Sequence, residues 1–263
     1  MGVWPALLAQ ADLAEVRTFY PYTRDHYLVL LGTALVVAGL SWLGVRWRGR
    51  AQGRRLWAGW LVIVAVTQAV SLWYYVFWRP FHWGHSLPLE VCDLMGFVAL
   101  IALWTQNRVA RIVLYYWTFA LTTHAFVTPI VRQGPDSLRF WVFWVTHIVI
   151  LASAVYDVAV NRFRPRGWDL GMTTLVLLLY GAVVIPLNVV TGFNYGFVGN
   201  STPDTPTMVD VLGPWPLRLV WMFVLIEAVF VFLTLVWWRG KRGRTHGTDG
   251  THGTDVTDAT KSR

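Results

Sequence analysis

Predominantly apolar stretches of about 18 to 24 residues recur along the chain, at 27–45, 56–78, 87–104, 109–131, 140–160, 170–190 and 217–238, each long enough to cross a hydrocarbon layer of roughly 30 Å. None alternates with the two-residue period of an outer-membrane barrel strand. A backbone in lipid must satisfy its polar groups internally, so the pattern predicts an all-α, polytopic membrane protein with seven transmembrane helices. Three regions result: an external N-terminal segment over 1–26, the seven-helix domain over 27–238, and a polar Gly/Thr/Asp tail over 239–263 that repeats Thr-His-Gly-Thr-Asp and is expected to be disordered. No cleavable leader is expected, because the first long apolar run starts only near Tyr27.

Charge orients the spans. Of the 22 basic residues, sixteen fall in the loops after spans one, three and five and in the tail, including five Arg between Arg46 and Arg55. The opposite face carries only Arg17, Arg24, Arg79, Arg132, Arg139 and Arg218. The positive-inside rule then places the N-terminus outside and the C-terminus in the cytoplasm, with the protein multi-pass in the cell membrane. Strict alternation with span number also explains most of the net charge of +8 without a nucleic-acid partner. Composition agrees: 56% of the residues are apolar, 14% are charged and 17 are Trp, far from the roughly one-quarter charged content of soluble domains.

Polar residues inside the spans gather at one depth. Counting about 1.5 Å per residue from the outer boundary puts Cys92 roughly 8 Å in, His124 roughly 10 Å and His147 roughly 12 Å. Gln68, Ser71, Tyr74, Tyr75, Thr122, Thr123, Thr128 and Asn188 occupy the same outer half. This layering predicts a polar cavity that opens outward, although such side chains also serve as packing links between membrane helices. At roughly 100° per residue, Cys92 and Asp93 are neighbours on the helix while Glu90 lies about 160° from Cys92, so Glu90 is expected at the cavity edge or turned outward. Pro129 and Pro186 each remove a helix hydrogen bond and are expected to bend their spans.

Cys92 is the only cysteine, so no internal disulfide is possible. A thiol with an imidazole at matched depth is the residue pair for nucleophilic catalysis, but a lone cysteine in an apolar segment is also commonly an inert small hydrophobe. His82 and His85 have zinc-compatible spacing, yet lie beside aromatic residues where interface anchoring is the simpler role. Glu227, near the middle of span seven, needs a partner or a proton, and Asp157 and Asp169 are expected to pair with Arg162 to Arg166. Without phosphate-cradling glycines or clustered axial ligands, no cofactor and no metal are expected, and membrane lipids are the expected partners.

Five elements taken together, Leu87-Pro-Leu-Glu-Val-Cys-Asp93, Thr128-Pro129, His147, Asn194-Tyr195 and Asp210-Val-Leu-Gly-Pro-Trp-Pro216, resemble the YwaF-like bacterial integral membrane proteins related to eukaryotic transmembrane protein 164. The likeness runs from span two to span seven. It implies a seven-helix fold and, through the eukaryotic relatives, a cysteine-dependent acyltransferase acting on phospholipids. By position the family cysteine falls on Cys92 and the family histidine on His147. His124 stands where relatives more often carry Gln, which suits it to orienting substrate, and the Asn194-Tyr195 and Gly213 to Pro216 segments to capping the cavity. The expected function is acyl transfer in an outer-leaflet cavity, with Cys92 as nucleophile, His147 as base, and His124, Asp93, Asn188, Asn194 and Tyr195 against the substrate. The alternative is a non-catalytic membrane protein that binds or moves a lipid or other amphipathic ligand in the same cavity.

Overall fold

The structure is a computed structural model that describes residues 17–200 and 208–242. Most of the N-terminal segment expected over 1–26, and the tail beyond 242, lie outside the described residues. Among those described, seven principal helices run in order: α1 (Arg24–Arg46), α2 (Ala51–Trp73), α3 (Val91–Thr105), α4 (Arg108–Trp117), α5 (Leu138–Ala159), α6 (Gly167–Thr191) and α7 (Leu217–Arg242). Among the described residues there is no β-strand, only an isolated bridge between Thr18 and Gln133. The all-α expectation is met.

Among the described residues, five helices are long and apolar enough to cross a bilayer: Arg24–Arg46, Ala51–Trp78, Leu138–Ala159, Gly167–Thr191 and Leu217–Trp237. The exterior differs from that of a soluble bundle. α1, α6 and α7 expose leucine, valine and phenylalanine outward, whereas His26, Gln68, Ser71, Thr118, Thr122, Thr146, His147 and Asn188 are buried. That arrangement suits a hydrocarbon solvent, in which apolar surface has no drive to hide and polar groups must find partners inside.

The third and fourth spans differ from the continuous rods expected over 87–104 and 109–131. α3 has 15 residues and is entered through a single turn (Trp83–Ser86) and the Pro88 segment. Its Met95, Ala99, Ala102 and Leu103 are wholly buried at the centre of the bundle. α4 is short and enclosed, with every residue from Ile112 to Trp117 buried. It continues through a π turn (Thr118–Thr122) into a 3-10 turn (Thr123–Phe126) and stops there rather than at 131. Pro129 explains the stop, since it disfavours helical geometry at Thr128 and offers no N–H. The carbonyl of His124 closes the end by accepting from the amides of Val127 and Thr128 and from the Thr128 hydroxyl. By contrast α6 carries Pro186 within an unbroken helix.

At the arginine-rich end the expected pairing of Asp157 and Asp169 with Arg162 to Arg166 is replaced. Arg108 clamps Asp169 through two nitrogens, and Arg111 pairs with Asp157 at 2.9 Å. The first turn of α4 is wedged against the ends of α5 and α6, so its arginines reach the carboxylates first. Asp169 also caps α6 by accepting the Arg166 amide. Glu227 on α7 has a polar partner, the Thr174 hydroxyl on α6 at 2.9 Å.

Candidate functional site

Cys92 occupies the first turn of α3, one residue past the Glu90–Val91 boundary that starts the helix. Its depth is set by the tight packing of that turn. Gln68 on α2 lies across Gly96 and donates to the Asp93 carbonyl at 3.3 Å, so the side chain of residue 68 fills the space a Cβ at Gly96 would take. The Thr122 hydroxyl, buried and outside hydrogen-bond geometry with any described residue, stands close to the thiol from the π turn after α4.

His147, on α5, is buried, and its Nδ1 lies 2.6 Å from the carbonyl of Phe143. A carbonyl only accepts, so Nδ1 carries the proton and Nε2 of the neutral ring keeps its lone pair. The ring is further held against Phe143 and Phe126. His124 hangs from the 3-10 turn within electrostatic reach of His147. The irregular ending of α4 is what directs this ring inward.

These groups share one cavity of about 1090 Å³, lined by Cys92, Asp93, Glu90, His124 and His147 together with Tyr75, Arg79, Arg139 and Tyr180. Small-molecule sites typically span about 300–1,000 Å³, so this one is large. No hydrogen bond joins the Cys92 sulfur to either imidazole; they face a common space across it. The remaining wall is apolar, from Leu177 to Ile185 on α6 and from Leu219 to Ile226 on α7. Among the described residues α7 packs on α6 and on the π turn after α4 but has no substantial contact with α5. Rim residues Ile130 (56% exposed), Leu178 (52%) and Leu225 (51%) therefore lead from the cavity to the molecule's apolar exterior.

Glu90 turns inward rather than outward. It lines the cavity and accepts the Gly196 amide at 3.0 Å, because its position before the helix frees it from the helical wheel used to place it. Asn188, Asn194 and Tyr195 sit behind the wall. Asn188 and Tyr195 exchange two hydrogen bonds, at 2.8 and 3.0 Å, the Tyr195 hydroxyl donates to the Trp83 carbonyl, and Asn194 accepts the Gly199 amide. What they hold in place is the Gly196 to Val198 turn, which does line the cavity. Gly196 has φ 63°, and a Cβ there would meet the Tyr180 hydroxyl at 2.4 Å. Tyr180 itself donates to the Leu89 carbonyl just before α3. Sequence reasoning overlooked Tyr180 and Gly196, since a tyrosine and a glycine carry no signal until the loop is seen folded against α6. His82 caps the Trp83–Ser86 turn by accepting the Gly84 amide through Nδ1. Among the described residues, no group of three or more His, Cys, Asp or Glu is placed to hold a metal ion.

A profile of the TMEM164 family matches residues 21–234, most of the chain. The YwaF-like grouping rests on the sequence resemblance alone. No curated protein and no solved structure shows significant similarity to the chain.

Proposed function

The chain belongs to the TMEM164 family of membrane proteins, and we propose that its cavity receives a phospholipid from the bilayer and that Cys92 and His147 catalyse acyl transfer there. The observation that carries this reading is a large hollow, open sideways through an apolar rim, that holds the chain's one thiol and an imidazole with a free Nε2. A lipid enters such a site without leaving the membrane. Cys92 attacks the ester carbonyl carbon while His147 Nε2 takes the thiol proton; the C–O bond breaks, and the lyso-lipid oxygen leaves with that proton. The thioester then reacts with the hydroxyl of an acceptor lyso-lipid, whose proton passes through His147 back to the departing sulfur. Restricted water favours transfer over hydrolysis. His124 and Asp93 are placed to orient the glycerol or headgroup, and Asn188, Asn194 and Tyr195 act through the turn they fix. By charge distribution the cavity opens in the outer leaflet of the cell membrane, with the arginine clamp of α4 at the cytoplasmic end.

Purified protein incubated with acyl-labelled phospholipid is expected to carry label released by neutral hydroxylamine, and Cys92→Ala to carry none. His147→Ala is expected to slow adduct formation by about 10²- to 10⁴-fold, the usual contribution of a general base. The lack of a hydrogen bond between sulfur and imidazole favours a second reading, a lipid-binding protein without chemistry. That reading is chosen if Cys92→Ala leaves lipid turnover unchanged.

A further inference from the structure

Four of the six basic residues on the sparsely charged face of the chain have evident structural settings or lie open. Arg17 pairs with Asp25 at 3.1 Å, Arg218 is buried in an ion pair with Asp210, and Arg24 and Arg132 are exposed. Arg79 and Arg139 differ. Both are half-buried, both line the cavity, and among the described residues neither guanidinium has an ion pair or a hydrogen bond. They approach from different elements: Arg79 ends the π turn (Tyr74–Trp78) that succeeds α2, and Arg139 lies in the first turn of α5. Both come within electrostatic reach of one group, the Tyr75 hydroxyl, which lines the cavity without a hydrogen-bond partner among the described residues. A guanidinium held partly out of water without a partner is costly, and an anion in the shared cavity relieves that cost. Arginine's planar fork matches phosphate oxygens two at a time, and a tyrosine hydroxyl adds a third donor. Asp93 also comes within electrostatic reach of Tyr75 and is the competing negative charge there.

We propose that Arg79, Arg139 and Tyr75 form a clamp for the phosphate of a membrane phospholipid, holding the lipid so that its glycerol esters hang into the cavity toward Cys92. The apolar rim selects the lipid source of that phosphate over a free anion. The clamp rests on the reading of the cavity as lipid-occupied, but not on the sulfur chemistry.

The test uses the full chain in detergent micelles and two fluorescent probes with the same acyl chain, lysophosphatidylglycerol, whose only charge is its phosphodiester, and monoacylglycerol, which has none. Wild type is expected to bind the phosphorylated probe about tenfold or more tightly than the neutral one. Arg79→Gln and Arg139→Gln are each expected to weaken the phosphorylated probe about 5- to 10-fold while binding of the neutral probe, which also reports folding, is unchanged. Arg139→Lys should recover part of the loss. Equal affinity for the two probes, or a double Arg79→Gln, Arg139→Gln variant that keeps the preference, overturns the clamp while leaving lipid occupancy standing. Full displacement by millimolar inorganic phosphate assigns the site to the free anion and overturns the lipid assignment. Binding of neither probe removes the lipid-occupied reading itself, whereas a hydroxylamine-labile adduct without the probe preference leaves the enzyme and removes only the clamp.

Discussion

Two glycines show how differently one missing methyl group can matter. A Cβ at Gly96 would meet Oε1 of Gln68 at 1.7 Å, and a Cβ at Gly134 would meet the backbone oxygen of Arg17 at 2.4 Å. The first obstacle is the end of a flexible side chain. Gly96→Ala is therefore expected to lose mainly the Gln68 to Asp93 hydrogen bond, about 1 kcal/mol, while shifting the turn that holds Cys92. Its signature is a changed rate of Cys92 alkylation with only a small fall in melting temperature. The second obstacle is main chain that cannot step aside, and it carries the 2.6 Å bond from the Gly134 amide to Arg17. Gly134→Ala should release the segment before α1, seen as proteolysis near Thr18. Thr18 and Phe19 gave no sequence signal for this contact, because a lone bridge has no periodicity to detect.

Among elements, α1 is held to the end of α4 by one imidazole. His26 is wholly buried; its Nδ1 accepts the Tyr22 amide at 2.9 Å, which leaves Nε2 to donate to the Phe126 carbonyl at 3.0 Å. His26→Ala orphans both backbone groups and is expected to cost about 1 to 3 kcal/mol, read as a lower melting temperature in detergent. At the other end, Asp169→Asn weakens the clamp with Arg108, a loss of about 3 kcal/mol, whereas Arg162→Gln, on an exposed loop, should change little. Which elements exist was readable from apolar run length, which placed five spans nearly as observed. Their endings were less so. Pro129, expected to bend its span, ends the helix instead, whereas Pro186 lies within a helix that continues to Thr191. The two prolines differ in the chain on their C-terminal side: 132–134 is taken up by contacts with Arg17 to Phe19, while α6 continues for more than a turn past Pro186.

For the whole molecule, depth counting brings Cys92, His124 and His147 into one layer, and the folded chain gathers all three in the lining of one cavity. Azimuth was not legible in the same way. Glu90 lies outside α3, where the helical wheel does not apply, and Asn188 and Tyr195 satisfy each other instead of the cavity, a pairing across a loop that spacing cannot reveal. Orientation is open to direct measurement: in a Cys92→Ser background, Tyr20→Cys is expected to react with a membrane-impermeant maleimide on intact cells, and Arg50→Cys only after permeabilisation. The brevity of α3 has a further effect. Fifteen residues rise about 22 Å, against roughly 30 Å of hydrocarbon, so the helix falls short by about one and a half turns and leaves a notch in the helical wall where the non-helical chain leads into Val91. On the proposed reading, solvent and glycerol backbones would sink into that notch while the surrounding helices keep the bilayer at full thickness. Cys92, His124 and His147 would thereby meet a lipid near its carbonyl groups by leaving rungs off one ladder, with no pore cut through the membrane.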